Sequence, residues 1–289
     1  MIEEKEVNNQ GVKIYYKVKA GKPILLFLHG TGCNMTIFDK YKEHYNKLGY
    51  GWISIDLRGY GMSSEVFDKQ SYVLNKFVED IELIIQTEKV RNFSIIAYSM
   101  GGMIAHVLAG KYPDMVESLV LISGSYNFRK TFEVDIYRKI FLRFIRPIYL
   151  KLFNFVIYIT LLFRNNSSVS YPIFSDEKWL SIKDVRMDFY LRMILGPSRV
   201  KANNICSREV LKWDTSQHIR LITAPTLLIQ GNNDMLLPIQ TVYELHTMIK
   251  SSLEPVVVEG GEHGVVFKKV DTILNEMDKF FNKIYLTNN

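Results

Sequence analysis

Short apolar runs recur along this chain, and each is separated from the next by a stretch long enough for a helix. Pro23-Ile24-Leu25-Leu26-Phe27-Leu28 comes first. Gly51 to Asp56, Asn92 to Ala97, Val116 to Ile122, Pro225 to Gln230 and Pro255 to Val258 follow. A run that is apolar at successive positions suits a strand buried on both faces. Helical stretches are expected between them at about Thr36–Leu48, Ser71–Glu88, Met100–Ala109, Ile239–Ile249 and Val265–Tyr285. The second carries Val73, Leu74, Phe77, Val78, Ile81, Ile84 and Ile85 near i, i+3, i+4 spacing. Strand and helix in alternation imply a parallel sheet with helices on both faces. Ahead of this pattern, Glu6–Val18 reads as two strands about the turn signal Asn9-Gln10-Gly11.

The alternation breaks once. Residues 126–213 are mostly helical in tone and rich in Phe, Tyr, Ile, Lys and Arg. The simplest organisation is one α/β core, residues 1–125 and 214–289, interrupted by a helical cap at 126–213. No internal repeat or low-complexity tract appears. The 289 residues are ample for one large domain with a core that needs no staples.

Charge follows the same division. The insert holds 16 Lys and Arg against 7 Asp and Glu, a net +9 within a chain total of +6, so the remainder carries −3. A basic excess confined to one segment argues against a nucleic-acid surface. Two cysteines, Cys33 and Cys206, exclude a disulfide scaffold and a four-cysteine zinc site, which fits a reducing, cytoplasmic setting. The start, MIEEKEVNNQ, has no basic region followed by an apolar run, so no secretory signal is read there. The apolar run Leu152–Phe163 has twelve residues, short of the roughly 20 that span a bilayer.

The strongest chemical signal is Ala97-Tyr98-Ser99-Met100-Gly101-Gly102, between a strand and a helix. It approximates the G-x-S-x-G nucleophile elbow, a sharp turn that lifts a serine hydroxyl above the sheet end. The strained turn requires small neighbours; Gly101 meets that need, and Ala97 stands where the first glycine is usual. The bland reading makes Ser99 an ordinary helix N-cap. A serine hydroxyl needs a base. Of six histidines, His263 lies in a glycine-flanked loop just after the last strand, where α/β active sites form. His29 reads as structural to its own glycine loop, and His106 as packing within a helix. His44, His218 and His246 read as solvated. Asp234, in Gln230-Gly231-Asn232-Asn233-Asp234, follows a strand and lies between serine and histidine in the order this chemistry uses. The competing acid, Asp56, sits in Asp56-Leu57-Arg58-Gly59-Tyr60-Gly61-Met62-Ser63, read as a structural loop. The backbone N–H groups of Thr31 and Met100 are candidates to stabilise charge on a substrate oxygen. Cys33 reads as a small packing residue.

Taken together, His29-Gly30-Thr31-Gly32, the Asp56–Ser63 segment, Tyr98 to Gly102, Pro225–Asp234 and Gly261-Glu262-His263 resemble the α/β-hydrolase superfamily over nearly the whole chain. The resemblance implies an eight-stranded, mostly parallel sheet with a lid after the sixth strand. It also implies Ser99 as nucleophile, His263 as base, Asp234 as its orienting acid, and Thr31 and Met100 as oxyanion donors, with no metal or organic cofactor. Epoxide hydrolases and dehalogenases are disfavoured, since those relatives use aspartate where Ser99 stands. The expected activity is cleavage of a carboxylic ester or lactone with a hydrophobic acyl or ring portion. Alternatives are C–C bond hydrolysis, lyase chemistry or cofactor-free haloperoxidase or perhydrolase chemistry at the same triad, or a ligand-binding, receptor-like role. In the insert, Ile140–Phe163 reads as amphipathic helices lining the pocket. A sharper reading adds contact with an anionic membrane surface.

Overall fold

The computed structural model describes residues 1–133 and 200–285. Met1–Thr131 and Pro197–Asn289 form one compact unit. The opening residues make a hairpin, β1 (Ile2–Asn9) and β2 (Val12–Lys19), with Asn9 paired to Val12. Gln10 and Gly11 fill the turn at φ 52° and 85°. Two positive φ angles in succession match the twist of the flanking strands, and the Asn8 side chain accepts the Gly11 N–H at 2.8 Å.

Six further strands follow: β3 (Ile24–Leu28), β4 (Gly51–Ile55), β5 (Phe93–Tyr98), β6 (Val116–Ile122), β7 (Thr226–Gly231) and β8 (Val256–Val258). They form one eight-stranded sheet in the order β1-β2-β4-β3-β5-β6-β7-β8. The pairs β1–β2 and β2–β4 are antiparallel and the other five are parallel. Every residue of β4, β5 and β7 is buried, as the continuous apolar runs require when helices cover both faces. The edge strand β1 instead carries Glu3, Glu4, Lys5 and Glu6, charges that discourage pairing with another chain.

The helices α1 (Asp39–Lys47), α2 (Leu74–Thr87) and α3 (Met100–Lys111) connect the central strands. Two begin later than their apolar pattern suggests. The Asn34 side chain accepts the Thr36 N–H and the Asp68 side chain accepts the Gln70 N–H, so short 3₁₀ turns form first at Met35–Phe38 and Lys69–Tyr72. Val73 is consequently exposed, and the buried stripe of α2 starts at Phe77. The last expected helix is divided: Lys269 leaves helical geometry between the turn Val265–Lys268 and the helix Val270–Tyr285. The cap segment Ile140–Phe163 lies outside the described residues, as does most of the expected insert. Among the described residues no helix is long and apolar enough to cross a membrane.

The strand order places the site. From β3 the chain steps one way to β4, then returns past β3 to lay β5 on the other side. Loops leaving the carboxyl ends of β3 and β5 therefore diverge, and a crevice opens between them. The loop after β4 braces this region from behind. Asp56 accepts the Met35 and Met62 N–H groups, both at 2.8 Å. A Cβ at Gly61 would fall on the Asp56 carboxylate, and the φ of 52° there also favours glycine. Arg58, fully buried, makes a two-pronged ion pair with Asp80 on α2 at 2.7 and 2.6 Å and donates to the Ser71 carbonyl at 3.0 Å. Asn9 donates to the same Asp80 at 2.8 Å. Removing the guanidinium would strand a buried carboxylate. Arg58→Met is expected to cost about 3–5 kcal/mol, measured by urea unfolding at pH 7; a loss below about 1 kcal/mol would mean that water reaches Asp80.

Candidate active site

Ser99 follows β5 at φ 52° and ψ −116°, a region that a non-glycine residue occupies at a cost of about 1–3 kcal/mol. Its surroundings enforce it. The Ser99 N–H donates to the Ile122 carbonyl at 3.0 Å, and its carbonyl accepts from Gly102 at 2.9 Å. A Cβ at Gly101 would land on the Leu28 carbonyl oxygen and 2.8 Å from that of His29. The elbow therefore tolerates only hydrogen at that position, because α3 starts directly against the end of β3. Ser99 does occupy the N-cap position of α3, yet its side chain makes no capping bond. Its Oγ lies 3.1 Å from His263 Nε2 instead.

His263 Nδ1 is 2.8 Å from Asp234 Oδ2, so the three side chains named from the sequence form one hydrogen-bonded series. Since a carboxylate only accepts, Nδ1 carries the proton and Nε2 is left to accept from the serine. The two loops that supply the acid and the imidazole are joined through backbone. The Asn233 N–H donates to the Gly261 carbonyl at 2.8 Å, and the Asn232 N–H to the Val258 carbonyl at 3.2 Å. A Cβ at Gly231 would strike that same Gly261 carbonyl.

The Asp234 carboxylate is held on both oxygens. Oδ1 accepts the N–H groups of Leu236 and Leu237 at 2.8 and 2.9 Å. Oδ2 accepts from Gln230 Nε2 at 2.8 Å as well as from His263. The His263 carbonyl in turn accepts the hydroxyls of Tyr98 and Ser123, each at 3.3 Å. Ser123 is a second strained residue, at φ 49°. Sequence reasoning did not single out Gln230, Tyr98 or Ser123. The available signal was a lone amide ending the apolar run Leu227–Ile229, and hydroxyls at the carboxyl ends of β5 and β6.

The loop after β3 closes the other side. The Cys33 N–H donates to the Gly30 carbonyl at 3.2 Å, a turn with Gly32 at φ 76°. His29 Nε2 accepts the Leu57 N–H at 3.0 Å, so its Nδ1–H donates to the Gly30 carbonyl at 2.8 Å. A carbonyl held by two donors fixes its peptide plane, and Thr31 N–H belongs to that plane. The loop touches the elbow: a Cβ at Gly30 would lie 3.0 Å from Ser99 Cβ. Met100 is the first residue of α3, where an N–H has no partner within its helix. Neither Thr31 N–H nor Met100 N–H meets an acceptor among the described residues.

Asp56, Cys33 and His106 take the structural places expected of them. Asp56 is occupied by its two backbone donors, and burial, partly offset by those bonds, pushes its carboxyl up to about 6. Cys33 is buried, which pushes its thiol up to about 12, far from a thiolate. His106 is fully buried with Nδ1 on Thr215 Oγ1 at 2.9 Å. His44 is less solvated than its sequence suggests, since Nε2 reaches Asp278 at 2.9 Å, and His246 meets Ser252. Among the described residues no three His, Cys, Asp or Glu side chains converge as a metal site requires.

A family model described as the alpha/beta hydrolase fold matches residues 23–270. The chain belongs to the α/β-hydrolase fold family. Among curated relatives, this α/β hydrolase is 23% identical to human Epoxide hydrolase 4 over 93% of its own length and 78% of that protein. Among solved structures it resembles Est816, described as an N-acyl homoserine lactone degrading enzyme, with TM-score 0.74 and 20% identity over 96% and 100% of the two chains. It also resembles a carboxylesterase of the thaumarchaeon Nitrososphaera gargenis, with TM-score 0.71 and 18% identity over 98% of each chain.

Burial gives this α/β hydrolase a defined response to acid. His29 is lowered to about 4 and His106 to about 3, both by desolvation of the imidazolium. Unfolded histidines take up protons near 6.5 while these two stay neutral in the fold, so stability falls as pH drops below that value. Asp56 works the other way, its contribution lost as pH rises through about 6. His106→Leu removes one of the two histidine terms. Between pH 7 and pH 5 the variant should lose about 2 kcal/mol less unfolding free energy than the parent, read from urea titrations at both pH values. Parallel curves would mean that His106 is protonated in the fold.

Proposed function

We propose that this protein is a serine hydrolase that cleaves carboxylic esters or lactones through an acyl-enzyme on Ser99. One observation carries the reading: Ser99 Oγ, His263 and Asp234 stand in series at 3.1 and 2.8 Å, with the serine withdrawn from its capping role. Ser99 Oγ attacks the carbonyl carbon and its proton passes to His263 Nε2. Negative charge on the carbonyl oxygen is met by the N–H groups of Thr31 and Met100. Asp234 stabilises the imidazolium and keeps its tautomer. Collapse of the tetrahedral species breaks the bond to the alkoxy oxygen, which leaves with the proton from His263. Water then attacks the acyl group with His263 again as base, which releases the acid and restores Ser99. With a lactone, alcohol and acid leave as one molecule.

The nucleophile itself argues against epoxide opening, the activity named for the human relative. A serine that opened an epoxide would be left as an ether, which water does not cleave under these conditions. An acylated serine is an ester, which the same base can hydrolyse. The fold likeness to an esterase and to a lactone-degrading enzyme is in keeping with acyl chemistry. The division into a core (1–125 and 214–289) and a cap (126–213) belongs to the same proposal. The substrate would carry a hydrophobic acyl or ring portion, in keeping with the aromatic and aliphatic composition of Ile140–Phe163.

A fluorophosphonate probe should label the protein and fail on Ser99→Ala. Ser99→Ala and His263→Ala should each lower kcat/KM for p-nitrophenyl esters by about a thousandfold or more. Across acyl lengths, kcat/KM should rise beyond acetate. Labelling that survives Ser99→Ala would remove the nucleophile, and a strict preference for acetate would remove the hydrophobic pocket.

A further inference from the structure

Gln230 is the last side chain before the glycine that ends β7, and it is fully buried. Its Nε2 donates to two acceptors, Asp234 Oδ2 at 2.8 Å and the Leu237 carbonyl at 2.9 Å. Its Oε1 is sealed from solvent and has no hydrogen-bond partner among the described residues. A buried amide that satisfies one end fully and leaves the other orphaned is costly. Rotating the amide by half a turn does not help. It would point Oε1 at a carboxylate oxygen and a carbonyl oxygen together, and three acceptors would face one another. The orientation is therefore dictated by Asp234 and Leu237, and the orphaned oxygen is its consequence.

We infer that Gln230 is a positioning residue that aims the Asp234 carboxylate at His263. The inference rests on the catalytic reading above for its effect on rate, and on geometry alone for its effect on the carboxylate. Leu236 and Leu237 fix Oδ1 from the backbone. Gln230 Nε2 and His263 Nδ1 meet on Oδ2, so losing the amide removes one of the bonds that resist rotation of the carboxylate about Oδ1, and the imidazole follows that rotation. Gln230 also ties the acid to the carbonyl of Leu237, which closes the loop on which Asp234 stands. The amide thus converts a strand position, set by the register of β7 against β6, into the orientation of a side chain four residues later.

Gln230→Met keeps the length and bulk of the side chain, abolishes the donor and removes the orphaned acceptor. Gln230→Asn keeps the amide but withdraws it from reach. Filling of space alone predicts that Met is harmless and Asn is not. Donation predicts that both lower kcat about tenfold, the loss of one net hydrogen bond to a charged group, with KM within about twofold. The substrate-free readout is the far-downfield proton resonance of His263 Nδ1–H, assigned by its loss in His263→Gln. It should move or broaden in both Gln230 variants, with cooperative thermal unfolding confirming that each is folded. A folded Gln230→Met whose resonance and kcat match the parent overturns the inference. If Met does not fold, an unmoved resonance in Asn does the same. Failure of the parent to react with a fluorophosphonate would strike the serine-hydrolase reading instead, and the resonance would still decide what holds Asp234.

Discussion

The site depends on a backbone that cannot relax. At φ 52° Ser99 is held in an unfavourable conformation, and the restraints come from three separate parts of the sheet. Its N–H is bound by the end of β6, its carbonyl by the first turn of α3, and the space beside it is closed by the carbonyl oxygens that end β3. None of these contacts is optional. They arise wherever β3, β5 and β6 lie adjacent and α3 must leave at once for the opposite face. Strain of about 1–3 kcal/mol is a small fraction of what the surrounding burial supplies, so the hydroxyl remains lifted toward His263.

Buried polar groups do comparable work around that turn. His29, Asp56 and Arg58 are all nearly inaccessible, and each is committed to backbone or to a single ion pair. His29 and Asp56 have opposite responses to burial: the imidazole is kept neutral and the carboxyl is held to a higher value than in water. Both changes favour the uncharged form, as desolvation demands. A neutral His29 can accept from Leu57 and donate to Gly30 at the same time, which an imidazolium could not do. Burial thus keeps the ring neutral, the Leu57 N–H selects the tautomer, and the Nδ1–H then helps hold the peptide plane that carries Thr31 N–H.

Much of this was legible in the sequence because it depends on short-range patterns. Continuous apolar runs gave the strands within about one residue, and the stretch Tyr98-Ser99-Met100-Gly101-Gly102 placed a serine at a strand–helix junction. Asp234 and His263 were legible as polar residues in loops just after strands. What was not legible depends on contacts between distant segments. Nothing local says that a Cβ at Gly101 would meet the Leu28 carbonyl, or that Gly231 must be bare because Gly261 crosses it. Gln230 reads as the ragged end of a strand until Leu237 and Asp234 fold back over it. The late starts of α1 and α2 were missed for another reason. Asn34 and Asp68 offer side-chain acceptors that outcompete the apolar periodicity one turn further on.

The constraints on the three side chains come from neighbouring parts of the sheet. Among the described residues, the bonds that hold Ser99, His263 and Asp234 originate in β5, β6 and β7, the first turn of α3 and the loops after β6, β7 and β8. Asn233 is bound to Gly261 through main-chain atoms, and the Asn232 side chain adds bonds to Gly260 and Glu259, so the spacing of Asp234 and His263 is set by the two loops themselves. The sequence inserts its aromatic, basic segment between β6 and β7, after the elbow is complete and before the acid is supplied. β6 and β7 pair directly, from Leu119 with Thr226 to Ile122 with Ile229, so the sheet is continuous across the point where the sequence is interrupted. The hydrogen bond from the Thr215 N–H to the Tyr126 carbonyl, at 3.0 Å, belongs to the described core, so it adds a fixed point beside the β6–β7 pairing without drawing on any group in the series.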